Sequence, residues 1–182
     1  MTKSGTLDNP RDFFEEVTRP SYVDFFGAPS SFKTAFSLAM SLFNLHEWVF
    51  EFNKADVERE FGKTFKKSGD LWQEVESQIP EAKFIRDLSN ASKHVKLKIK
   101  PSTSMTHIAN TEIQFSSYGA GGYGQGRYSA PSVVFHDSGN IIYLDDCAKK
   151  LFTFWESLIN KLYPPVSITV VLGSVSPPSA NS

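Results

Sequence analysis

The chain has 182 residues, 40% of them hydrophobic and 14% aromatic, which is enough to fill one sizeable core and demands no second domain. Its formal net charge of −1 excludes a global basic field of the kind that draws nucleic acid or membranes to a whole surface, so any such surface has to be local. The single cysteine, Cys147, excludes an internal disulfide and fits a reducing cytoplasm.

The opening stretch MTKSGTLDNPRDFFEEVTRP is polar and acidic, so neither a secretory signal nor a membrane anchor is expected there. No apolar run reaches the ~20 residues that a spanning helix needs. A soluble, cytoplasmic protein without membrane contact is the expectation. Asp8 as cap and Pro10 at an early helical position open a first helix that carries Phe13, Phe14 and Val17 at helical spacing. Pro20 disfavours helix in the residue before it, which puts the end of this helix near Arg19.

After GAPSS, Ser30 or Ser31 opens the most strongly periodic segment of the chain. Phe32, Ala35, Phe36, Ala39, Leu42, Phe43 and Phe50 fall on one helical stripe and predict a helix over 31–54 at the centre of the core. His46 lies inside that stripe, the position of a core histidine with one satisfied hydrogen bond, while Glu47, Trp48 and Glu51 lie to its side. A shorter helix follows around ADVEREFG, closed by Gly62, and another around SGDLWQEVESQI, closed by Pro80.

The segment FIRDLSNASKHVKLKIK, residues 84–100, changes character part-way. At ~100° per residue, Phe84, Leu88, Ala91 and Val95 fall on one side of a helix and Arg86, Asp87, Asn90, Lys93 and His94 gather on the other. From Val95 the period becomes two, with Leu97 and Ile99 alternating with Lys96, Lys98 and Lys100, which reads as a half-buried strand or an extended tail of the helix. Lys93, Lys96, Lys98 and Lys100 form the one dense basic patch of the sequence. They suit nucleic-acid binding, in which lysines track a phosphate backbone by counterion release, and equally suit the protection of an exposed strand edge.

Residues 111–118 and 132–144 read as strands, the second broken by a turn at DSGN. Between them lies GAGGYGQGRY, whose glycines at 119–126 lack both the Lys-Ser/Thr end of a P-loop and a helix directly after it. It reads as a flexible hairpin tip, on which Tyr118, Tyr123, Tyr128 and Arg127 suit an adaptable contact surface. A final helix over 145–162 aligns Leu151, Phe154, Trp155, Leu158 and Leu162, with Cys147 in its first turn as an ordinary small residue. The domain is expected at 8–163, with a β insertion at about 111–144 and a flexible tail at 164–182. The fold class is mainly α, a four- to five-helix bundle with a small antiparallel β hairpin inserted before the last helix. Phe36, Leu42, Phe43, Leu88 and Trp155 should share one core, because only mutual packing hides their stripes. His46, His94, His107 and His136 are dispersed, so spacing argues for no metal site and no cofactor is expected.

These helices, with RDLSNASKH opening the polar face, a small β insertion and a tryptophan-bearing last helix, resemble uncharacterised bacterial helical proteins that carry an R-D-x-x-N-A-x-K-H segment. That resemblance spans most of residues 10–160. More remotely the chain resembles the HEPN group of helical bundles, many of which are metal-independent ribonucleases or components of toxin–antitoxin and defence systems. The HEPN resemblance implies a site at Arg86, Asn90 and His94, commonly assembled across a homodimer, that needs no metal. Asn90 and His94 fit an R-N-x-x-x-H register in which Ser89 stands at the arginine position. Arg86 joins them by reaching over one extra turn, with seven residues between it and His94.

Such a set has definite chemistry. A histidine titrating near neutral pH can take the proton of a ribose 2′-hydroxyl or return one to the leaving oxygen, and a guanidinium can hold the phosphate with two parallel bonds. Asn90 can orient either group, and Asp87 can fix the tautomer of His94. Several readings of the stripe stay open: a solvated helix face with internal ion pairs, a phosphate- or RNA-binding surface, and a metal-independent endoribonuclease. The alternative class is a non-enzymatic protein-interaction module that uses the stripe and the glycine-rich hairpin to hold a protein partner.

Overall fold

The computed structural model describes residues 6–93, 103, 111–114 and 132–164. Helix α1 is one continuous rod of three joined segments, Pro10–Phe13, Phe14–Thr18 and Arg19–Gly27, of which the middle one is π-helical. Its cap is Asn9 and not Asp8, because Asn9 Oδ1 accepts the backbone N–H of Asp12 at 3.1 Å. The rod also runs through Pro20 instead of ending near Arg19. Proline has no N–H to give and crowds the carbonyl four residues back, and both problems ease in a turn that bonds five residues back, as Arg19 N–H does to the Phe14 carbonyl.

Helix α2, Phe32–Phe61, starts where Ser31 Oγ accepts the N–H of Thr34 at 3.4 Å and stops at Gly62, whose φ of 62° is the left-handed conformation glycine adopts without strain. The two helices read from the sequence in this region are joined through a kink at Asn53 (φ −132°, ψ 25°), where the Tyr163 hydroxyl donates to Asn53 Oδ1 at 2.6 Å. Helices α3 (Ser68–Gln78) and α4 (Ala82–Lys93) form a hairpin, and α5 (Leu144–Leu162) closes the bundle. Helix α2 touches each of the other four and supplies the centre of the core through Leu38, Leu42, Leu45 and Val49, all fully buried. Leu42, Leu88 and Trp155 lie in one buried cluster, with Phe36 and Phe43 packed against it.

Strands β1 (Thr111–Gln114), β2 (Ser132–Asp137) and β3 (Asn140–Tyr143) form an antiparallel sheet in that order, with Thr111 opposite Phe135 and Phe135 opposite Ile142. The DSGN turn is a two-residue hairpin loop in which Ser138 and Gly139 both take positive φ, 52° and 84°, the twist that suits adjacent strands. Phe135 stacks on Phe84 at 5.8 Å between ring centroids, which seats the sheet against α4. The expected strand at 95–100, the glycine-rich segment at 119–126 and the tail beyond 164 lie outside the described residues. No described helix is long and apolar enough to cross a membrane.

Candidate functional site

Helix α4 buries Ala82, Phe84, Ile85, Leu88 and Ala91, and packs on α2 and α5. The opposite side carries Lys83, Arg86, Asn90 and Lys93. Of these, Arg86 and Asn90 are half-buried and Lys93 is exposed. Asp87 departs from the expected outward stripe. It is only 2% exposed, and neighbouring Ser89 is fully buried. The stripe is therefore no simple solvated face, because α3 runs alongside it and the chain at Thr103 returns over Asp87.

What holds Asp87 in the interior is a chain of charge-assisted bonds. Arg86 Nε and Nη2 each donate to Asp87 Oδ1 at 3.2 Å, while Arg86 Nη1 reaches Glu76 Oε1 on α3 at 2.8 Å. Asp87 Oδ2 accepts the Thr103 backbone N–H at 3.0 Å and the Thr103 hydroxyl at 2.8 Å. Glu76 Oε1 also accepts the indole N–H of Trp72 at 2.6 Å. A buried carboxylate without such partners would be strongly disfavoured. Here one guanidinium and two donors of Thr103 offset its desolvation. Lys83, at the start of the same side, lies 3.7 Å from Asp137 of β2.

His46 packs against this network from α2, with ring centroids 5.4 Å from Trp72 and 4.7 Å from Phe43. Its Nδ1–H donates to the Phe43 carbonyl, as expected of a core histidine with one satisfied bond. Burial pushes its pKa down, against smaller upward pulls from that carbonyl and from Glu47. Cys147 is buried too, and burial drives its thiol up to about 12, which outweighs any help from the helix N-terminus and leaves it without nucleophilic character.

Of the expected site residues, the structure brings Arg86 and Asn90 to one side of α4, one turn apart, with Lys93 at the helix end. His94, Lys96, Lys98 and Lys100 lie outside the described residues, as does His107. Asp87, expected to orient His94, has both oxygens engaged by Arg86 and Thr103. Sequence reasoning missed Glu76, Trp72 and Thr103. The four-residue step from Trp72 to Glu76 is a visible helical spacing, whereas the Glu76–Arg86 and Asp87–Thr103 contacts depend on how the helices and the returning chain meet. Among the described residues no group of three or more His, Cys, Asp or Glu side chains is placed to hold a metal ion.

Chemically, Arg86 is an anchor. Two carboxylates offset its charge and engage Nε, Nη1 and Nη2, so its guanidinium is held within the protein and has little net charge left to attract a phosphate. On this side of α4 Lys93 is exposed, and Asn90, like Arg86, is half-buried. No family model, curated protein or solved structure matches the chain.

Proposed function

We propose that the chain is a HEPN-like helical protein that binds phosphate groups, those of RNA in the first place, at the C-terminal end of α4, and that it holds them without cleaving them. The double engagement of Arg86 by Glu76 and Asp87 carries this reading, since an arginine so occupied fixes the helix and does not grip a scissile phosphate. Asn90 and Lys93 lie one and two turns beyond it on the same side, where α4 leads into His94, Lys96, Lys98 and Lys100. The lysines supply the attraction, by counterion release. The reading carries with it a cytoplasmic homodimer serving a toxin–antitoxin or defence system.

The test is fluorescence anisotropy of a labelled single-stranded RNA across a series of salt concentrations. Replacing Lys93, Lys96, Lys98 and Lys100 with glutamine should weaken binding and flatten the dependence of log affinity on log salt by ~0.7 per effective lysine. An unchanged slope in a variant with an unchanged circular dichroism spectrum removes the basic segment from the function.

A further inference from the structure

Among the described residues β3 is an edge of the sheet, with β2 on one side and no strand on the other. Asp137 and Asn140 flank the two-residue hairpin loop and so form a hydrogen-bonded pair. Ile141, the next residue and opposite His136, therefore turns its backbone N–H and C=O away from β2. The edge Asn140-Ile141-Ile142-Tyr143 carries neither the charge nor the proline that discourages a further strand, and Ile141 is 37% exposed. A matching feature stands in the sequence after α5, outside the described residues. Residues 166–176, between Pro165 and Pro177, contain no charge and no proline. Val166, Ile168, Val170 and Leu172 alternate there with Ser167, Thr169, Val171 and Gly173, the period of a strand with one apolar face. An uncharged β-branched run of this kind is an aggregation hazard until its backbone and its apolar face are paired.

We propose that residues 166–173 of one copy of the chain add to β3 of a second copy as a fourth strand, with the apolar stripe beside Ile141, and that the exchange is reciprocal. Main-chain bonds to the outward N–H and C=O of Ile141 supply affinity, and the alternating side chains fix the register. The chain's own run fits β3 poorly. Helix α5, which follows β3 directly, has 19 residues and carries the chain ~27 Å away from it. Val166 is four residues past Leu162 and can return by at most ~14 Å, and Val170 by at most ~29 Å when fully taut. Val166 and Ile168 would thus be spent in crossing back along α5, whereas a second copy can present the whole stripe. Reciprocal exchange closes as a two-fold dimer. It gives the homodimer of the proposed function a contact, and it stands whether or not the end of α4 binds phosphate.

Sedimentation velocity on the full chain, on a chain ending at Pro165 and on Val170→Pro tests the exchange. The full chain should be a dimer and the other two monomers, all with the same helical circular dichroism. A fluorescent peptide of residues 166–176 should bind the shortened chain, and Ile141→Lys, a change at an exposed position, should weaken that binding about tenfold or more. A monomeric full chain overturns the proposal. So does a dimer that survives removal of residues 166–182, which would assign the contact to another surface, β3 against β3 included. Peptide binding that is absent, or unchanged in Ile141→Lys, overturns it as well.

Discussion

Arg86 Nη1 lies 2.8 Å from Glu76 Oε1, and the two side chains are only 20% and 19% exposed. This pair ties α3 to α4 across their hairpin, and the other edge of the same guanidinium keeps Asp87 inside the protein. The R-D pair is therefore first a structural clamp. Replacing Arg86 with methionine keeps much of the side-chain volume but leaves Asp87 and Glu76 without their cation. Unfolding free energy should fall by about 3 kcal/mol, the low end for breaking a buried pair from one side. Urea denaturation measures this, and a loss below about 1 kcal/mol would mean that the pair contributes no more than a surface bridge.

Leu42 is fully buried at the middle of α2, in the same cluster as Leu88 and Trp155. Leu42→Ala removes methyl groups that no neighbour can replace without moving, and should cost about 2–5 kcal/mol. Chemical denaturation with an unchanged m-value gives the figure directly.

His46 links stability to pH. Its folded pKa is depressed by burial, so between that value and the ordinary ~6.5 the unfolded chain holds a proton that the folded chain lacks. Stability should therefore be at its plateau above that range and fall as pH drops through it, by at most ~1.4 kcal/mol per pH unit for this group. The carboxyls of Glu74 and Glu81, held below their usual range first by hydrogen bonds from Lys63 and Lys150, weaken the fold only at lower pH. Comparing wild type with His46→Gln between about pH 7.5 and 5.5 separates the effects, and the variant should show the shallower slope. Identical slopes would assign the acid sensitivity to other groups.

Cys147 should be inert in the folded protein. With its thiol pushed up to about 12 and 1% exposed, it offers almost no thiolate to a disulfide reagent near neutral pH. One thiol should react with such a reagent only after urea is added, and rapid reaction without denaturant would show that α5 opens locally.

The parts of the fold that the sequence states openly are those set by local repetition. The stripe from Ala35 to Val49 and the stripe of α5 are long enough for the helical period to be unambiguous, and Ser138-Gly139 is a turn whose backbone geometry follows from its residues. Pro20 misleads because a π-helical turn absorbs it, and that turn leaves no mark in a period count. Arg86, Asn90 and Lys93 were visible as one polar face, but Asp87 was not visible as a buried group. Its partners come from Glu76 through Arg86 and from Thr103, sixteen residues on, and only the packed hairpin brings them together.

The measurement closest to the central claim, phosphate binding without cleavage at the end of α4, follows a 5′-labelled single-stranded RNA in excess chelator on a denaturing gel, with wild type and His94→Ala side by side. With Arg86 occupied by Glu76 and Asp87, the RNA should stay intact in both lanes while anisotropy shows it bound to the wild type. Chelator-resistant cleavage that leaves a 2′,3′-cyclic phosphate and falls ~10²–10⁴-fold in His94→Ala, the span expected for losing a positioned acid or base, would contradict the claim and make this end of α4 a ribonuclease site.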